Sequence, residues 1–177
     1  MTMLIAYGTV EGQSRKIAAF LEKLATDAGH EVEMLDTSDL VAEVDWETVG
    51  GVMLVASVHE RRHPKAFEIF VSSNRSELAS RSTFLLSVSL RAAFEEGRDD
   101  AQDYLDEMKM RTGIEPDLEL LVPGAIRSQS YDYFSSQILR HVVLRGQDFD
   151  PNVREHEFTD WGAIEEKAGE FLHRIST

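Results

Sequence analysis

Five short apolar runs recur along the chain: Met3–Tyr7, Val32–Leu35, Gly51–Ala56, Phe84–Val88 and Leu118–Val122. Several are nearly continuous rather than alternating, as in strands covered on both faces. Between them the apolar positions switch to a helical period. Ile17, Phe20, Leu21 and Leu24 line one face of a first helix, and Gly29 follows where it should stop. Phe67, Phe70 and Val71 mark a second helix. Pro64 is expected in its first turn, where a missing N–H would have no intrahelical partner. Ala101, Tyr104, Leu105 and Met108 mark a third, with Asp99 and Asp100 at its positive end. Trp161, Ile164, Ala168, Phe171, Leu172 and Ile175 mark a last one, with Thr159 or Asp160 as its cap.

Strand and helix therefore alternate. The order predicts an α/β fold: a five-stranded parallel sheet with helices on both faces and right-handed crossovers. Thr37–Glu47 is too short and polar for a full crossover helix and is expected to be irregular with one turn. The connection between the fifth strand and the last helix is long, so residues of about 127–157 read as an insertion within a single domain spanning 1–177. Inside it, Tyr131–Arg145 carries a helical pattern of its own in Phe134, Ile138, Leu139 and Val142. That face either packs on the sheet or, with Arg140, His141 and Arg145 beside it, makes peripheral contact with an anionic membrane or a partner.

Composition narrows the chemistry. The chain has no cysteine, which excludes disulfides, thiolate-held clusters and cysteine nucleophiles. No apolar run reaches the ~18 residues of a transmembrane helix, and the first residues lack the basic region and cleavage site of a signal peptide. A cytoplasmic protein is the expectation. Lys and Arg number 18 against 32 Asp and Glu, a net charge of −14. Such a chain is a poor binder of nucleic acid. Charge repulsion of this size suits a host with high internal salt, because the screening length shrinks to about 3 Å at 1 M. The alternative is an ordinary acidic surface.

In an open parallel sheet the ligand site lies beyond the carboxyl ends of the strands. After the first strand comes Gly8-Thr9-Val10-Glu11-Gly12-Gln13-Ser14, leading straight into a helix. A helix N-terminus offers unpaired N–H groups and partial positive charge to an anion. Gly12 lets the backbone come close, Thr9 and Ser14 add hydroxyl donors and Gln13 an amide. These residues suit a phosphate monoester held without metal; they would equally make a plain cap and glycine turn. No G-x-G-x-x-G or G-x-x-x-x-G-K-[ST] occurs, which argues against dinucleotide and Walker loops. A phosphoacceptor receiver would need an aspartate ending the third strand and a lysine ending the fifth, where Ala56-Ser57 and Val122-Pro123 stand. No spacing of His and carboxylates matches a zinc helix, so no metal is assigned.

The segment Thr9-Val10-Glu11-Gly12-Gln13-Ser14 resembles the FMN phosphate loop of the flavodoxin family. Short flavodoxins usually carry a hydroxyl residue where Glu11 stands. An acidic residue there is shared with a narrower group, the flavodoxin-type, quinone-dependent protoporphyrinogen dehydrogenases. Ala56-Ser57-Val58 resembles the A-S-I of that group, and Ser87-Val88-Ser89-Leu90 its S-V-N-L. Pro123-Gly124-Ala125-Ile126-Arg127 resembles A-G-A-L-R, with Tyr131-Asp132 following. Phe158-Thr159-Asp160-Trp161 resembles Y-T-D-W before the last helix. Two segments depart. His59-Glu60-Arg61-Arg62-His63 stands where the group has aromatic residues, and Arg91-Ala92-Ala93-Phe94-Glu95-Glu96 is acidic where the group is basic.

The resemblance implies a flavodoxin-like fold and FMN as cofactor. Thr9, Glu11 (through its backbone), Gly12, Gln13 and Ser14 would hold the phosphate. Ser57, Val58 and His59 would line one side of the ring, and Ser89, Leu90 and Arg91 the other. Gly124 to Arg127 would close the site. Arg91 and Arg127 are the candidates for catalytic cations: either could stabilise an anionic reduced flavin, and Arg127 could pair with a propionate. His59 and His63 are expected to be exposed loop residues or to border the flavin. The implied activity is oxidation of a porphyrinogen with a quinone acceptor in haem biosynthesis. The alternatives are an electron carrier that docks on a redox protein, and an interaction module without FMN. The oligomeric state stays open, a homo-oligomer included.

Overall fold

The structure is a computed structural model and describes residues 1–127 and 155–177. Five parallel strands form one sheet: β1 (Thr2–Gly8), β2 (Glu31–Asp36), β3 (Val49–Ser57), β4 (Ser82–Ser89) and β5 (Leu118–Pro123). Their order is β2-β1-β3-β4-β5. Each expected strand is present and extends a little beyond its apolar run, because the ladder continues for a residue or two at its ends.

Period-two alternation sorts each strand's side chains between two layers. Met3, Ile5, Tyr7, Met53, Val55, Phe84, Leu86 and Val88 pack with α1 (Gln13–Asp27) and the last helix, α5 (Trp161–Ile175). Leu4, Ala6, Val52, Leu54, Ala56 and Leu85 face the other way, toward α2 (Lys65–Ser73), α3 (Arg75–Ala79) and α4 (Arg98–Thr112). Both faces are covered, which explains the continuous apolar runs of the central strands.

Helix ends follow the sequence signals with two refinements. Gly29, at φ 90°, lies just past α1. Pro64 stands just outside α2, at its N-cap, rather than inside the first turn, and its carbonyl accepts from Glu68 N–H at 3.1 Å. Of the two cap candidates for α5, Asp160 caps it, accepting from Ala163 N–H at 3.0 Å. The Thr37–Glu47 connection contains turns and no helix. The five-residue α3 and two 3₁₀ turns, Arg91–Ala93 and Glu95–Gly97, were not expected.

The long connection begins and ends in an antiparallel ribbon, β6 (Ala125–Arg127) against β7 (Glu155–Glu157). Strands of three residues carry too little periodicity to be read from sequence. The helical pattern of Tyr131–Arg145 lies outside the described residues. No helix among the described residues is long and apolar enough to cross a membrane.

Candidate functional site

Parallel register brings the carboxyl ends of four strands to one rim. Gly8 of β1 pairs with Ala56 of β3, Ser57 of β3 with Val88 of β4, and Ser89 of β4 with Pro123 of β5. The segments carrying the candidate ligand residues adjoin this rim.

The loop between β1 and α1 is built around Gly12. Its φ of 92° is left-handed, a conformation that costs a side-chain-bearing residue about 1–2 kcal/mol. Gly12 N–H donates to Thr9 Oγ1 at 2.7 Å, which folds the loop back on itself. The first backbone bond of α1 runs from Lys16 N–H to Gly12 C=O at 3.1 Å. The N–H groups of Gln13, Ser14 and Arg15 therefore have no acceptor within the helix. Ser14 is fully buried, and its hydroxyl shares a hydrogen bond with that of Ser57. Glu11 is exposed. Hydroxyl, glycine and helix-end amides thus stand together and fit a phosphate monoester.

Gln13 departs from its expected use. Its side chain is buried, and the amide nitrogen donates to Thr159 Oγ1 at 2.9 Å and to Glu157 Oε2 at 3.4 Å. The side-chain amide is thus engaged on the segment entering α5 rather than turned toward an anion. Glu157 also pairs with Lys16 and accepts from Trp161 Nε1 at 2.7 Å. Burial pushes the Glu157 carboxyl up, but the hydrogen bonds from Lys16, Trp161 and Gln13 outweigh this and hold it below the ordinary range.

After β3, Val58 N–H donates to Val88 C=O at 2.7 Å and extends the β3–β4 ladder. The chain then reverses in a tight turn in which His59 and Arg62 exchange backbone bonds at 2.8 and 3.1 Å. Glu60 (φ 48°) and Arg61 (φ 69°) at its tip are both left-handed, the geometry of a type I′ turn usually filled by Asn-Gly. The His59 side chain is exposed, and the Arg61 guanidinium lies 5.8 Å from the Tyr104 ring centroid.

His63 is a correction. It is not an exposed loop residue but is 97% buried (3% exposed). Its Nε2 shares a 2.8 Å hydrogen bond with Ser87 Oγ, and Nδ1 has no partner among the described atoms. Burial lowers its pKa from 6.5 to about 4, against the pull of the Glu68 carboxylate, with Arg111 lowering it further. Glu68 is itself buried and accepts from Arg111 Nε at 3.0 Å and Arg62 Nη2 at 3.2 Å. The open groove between α2 and α4 is lined by these groups and Lys65. Sequence reading missed Glu68, whose signal is a carboxylate set between Phe67 and Ile69.

Beyond β4, Ser89 is buried and its Oγ accepts from Ala92 N–H at 3.2 Å. Leu90 packs with Phe94, Ile126 and Phe158. Arg91 is exposed, its Nη1 3.6 Å from Asp100. Gly124 joins the rim through its N–H to Ser89 C=O and its C=O from Phe158 N–H, both 3.0 Å. Arg127 ends β6 opposite Glu155. Among the described residues, no cluster of His, Cys, Asp or Glu could hold a metal.

The family model for the flavodoxin domain matches residues 4–151. The chain belongs to the flavodoxin family. Its protoporphyrinogen IX dehydrogenase [quinone] relative from Escherichia coli (strain K12) is 26% identical over 174 residues, covering 98% of this chain and 96% of that one. The relative of the same name from Leishmania major is 24% identical, covering 95% of this chain and 73% of that one. Among solved structures, a Fusobacterium nucleatum flavodoxin bound to flavin mononucleotide superposes with a TM-score of 0.52 at 13% identity, covering 99% of this chain and 96% of that one. For this flavodoxin-family chain, that last likeness speaks to the fold.

Proposed function

We propose that the protein is an FMN-dependent oxidoreductase of the protoporphyrinogen IX dehydrogenase type, removing hydride equivalents from a porphyrinogen and passing them to a quinone. One observation carries this reading above the others. A glycine turn with Thr9, Gly12 and Ser14, of a kind suited to a phosphate, opens α1 in a chain that aligns with the Escherichia coli enzyme along 98% of its length. The long connection leaving Gly124–Arg127 is included in that alignment.

The main-chain N–H groups of the first turn of α1, with Thr9 and Ser14, would hold the phosphate. Ser57, Val58 and His59 on one side, and Ser89, Leu90 and Arg91 on the other, would flank the ring. When bound, the flavin supplies the two-electron chemistry. The chain's part is to fix its position and to place charge. Arg91 lies near Asp100, so Arg127 is our choice for the cation that would stabilise reduced flavin or pair with a substrate carboxylate. The whole chain of 1–177 acts as one domain with an insertion, and residues 131–145, apolar and basic by turns, would reach the membrane where quinones reside. A cytoplasmic place at the membrane face and a role in haem biosynthesis belong to the same reading.

The test is direct. Titration with FMN should give a shifted flavin spectrum retained through desalting. Protoporphyrinogen IX with a quinone should then yield porphyrin fluorescence at a steady rate. FMN binding without turnover, with fast electron exchange to a ferredoxin-type partner, favours the electron-carrier reading, for which the acidic surface is suited. No FMN binding leaves an interaction module. The net charge of −14 is read as adaptation to internal salt; a melting temperature that does not rise between low and molar KCl would remove that reading.

A further inference from the structure

A chain of hydrogen bonds crosses the rim through one hydroxyl. Thr159 Oγ1 accepts from the buried Gln13 amide at 2.9 Å and donates to Pro123 C=O at 2.8 Å. Gln13 is the first residue of α1, adjoining Gly12 of the phosphate loop. Pro123 is the last residue of β5, and the next residue, Gly124, donates to Ser89 C=O at 3.0 Å on the ring side. The two ends of the candidate flavin site, far apart in sequence, are therefore tied through Thr159. A hydroxyl suits this place because it donates and accepts at once. Capping does not account for it: Asp160, not Thr159, holds the N-terminus of α5.

We propose that Thr159 is a positioning residue that sets the phosphate loop at a fixed separation from the ring-side rim, so that FMN gains from its phosphate and its ring together. This rests on the flavin reading above. The tie acts on the loop through Gln13, so its loss should be felt by a ligand that spans both ends and much less by one that touches only the ring side. Riboflavin is that second ligand, identical in its ring and lacking the phosphate.

The experiment compares dissociation constants for FMN and riboflavin in the unaltered protein and in Thr159→Val, Thr159→Ser and Gln13→Leu. Valine keeps the shape and removes the hydroxyl. Loss of one partly buried hydrogen bond on a ligand's path corresponds to about a tenfold change in affinity. Thr159→Val should therefore weaken FMN by about tenfold while leaving riboflavin nearly unchanged, and Thr159→Ser should restore the preference. Gln13→Leu, acting from the other end, should show the same loss of preference, and the double variant should lose little more than either single one. A Thr159→Val protein that melts earlier yet keeps the FMN-to-riboflavin ratio overturns the proposal and leaves a structural tie. So does a Thr159→Ser protein that behaves like Thr159→Val. If the unaltered protein binds neither flavin, the flavin reading falls and takes this proposal with it; FMN binding with an unchanged ratio removes this proposal alone.

Discussion

The loops after β1 and β3 meet at the same rim and are built on opposite principles. After β1 the left-handed residue is a glycine, Gly12, and the neighbouring side chains Gln13 and Ser14 are buried. After β3 two side-chain-bearing residues, Glu60 and Arg61, both take left-handed conformations and both stay exposed. A fixed, small anion is best held by backbone that comes close without strain. Strain of the second kind persists only where the surroundings over-determine it. Here the support lies underneath: buried His63 on Ser87, and Glu68 between Arg62 and Arg111.

The strongest way to break the contrast is to attack that support with acid. His63 is neutral in the folded state with a pKa of about 4, against 6.5 when unfolded. Between these values the unfolded chain binds the proton and the folded one does not, so stability present above pH 6.5 falls as pH drops toward 4. Full passage through this window corresponds to about 3 kcal/mol. Urea unfolding at pH 7 and pH 4.5 should show a smaller acid loss in His63→Leu than in the unaltered protein. Equal losses would mean that the ring-side turn is not held by a neutral imidazole.

The second half of the ring side offers a steric test. A Cβ on Gly97 would lie 2.3 Å from the Arg91 carbonyl oxygen, a backbone atom that cannot swing aside. Gly97→Ala should lower stability by about 2 kcal/mol through overpacking. It should also disturb Arg91, which begins the turn. A thermal melt unchanged from the parent would show that this turn opens freely.

Paired substitutions sharpen the comparison further, because their signs should differ. Gly12→Ala should cost about 1 kcal/mol, since alanine resists φ near 90°. Glu60→Gly should instead gain up to about 1 kcal/mol by relieving φ of 48°, less the added freedom of the unfolded chain. Chemical denaturation of both variants measures the signs. A destabilised Glu60→Gly would mean that the Glu60 side chain contributes more than the strain removes.

How much of this was legible depended on the range of the interaction. The five strands could be read because a strand buried on both faces must be apolar throughout, as Leu4–Ala6 and Val52–Ala56 are. Gly12 and Gly29 announced themselves because each serves its own few neighbours. His63 did not: it stands in the polar stretch Arg61-Arg62-His63-Pro64-Lys65, and the Ser87 it bonds lies 24 residues on. Thr159 was recognisable as a hydroxyl before a helix, yet its partners Pro123 and Gln13 are 36 and 146 residues away. Local chemistry names the residue type, and only the register of the sheet says what it meets.

Glu157 gives the smallest expected effect and the finest division between the two ends. It ties β7 to α1 through Lys16 and Gln13, but its side chain is 30% exposed and that of Lys16 is 52% exposed. Solvent screens such a pair, so Glu157→Gln should cost only about 0.5 kcal/mol. Because its carboxyl is held below the ordinary value of 4.5, its contribution is present above that pH and fades as pH falls through the folded value. His63 loses its share over a higher window, from 6.5 downward. A His63→Leu protein should therefore keep a shallow loss below pH 4.5 that His63→Leu/Glu157→Gln lacks, read as the difference between two urea midpoints. Identical midpoints in that range would mean that the Glu157–Lys16 pair adds nothing measurable and stands idle at the surface.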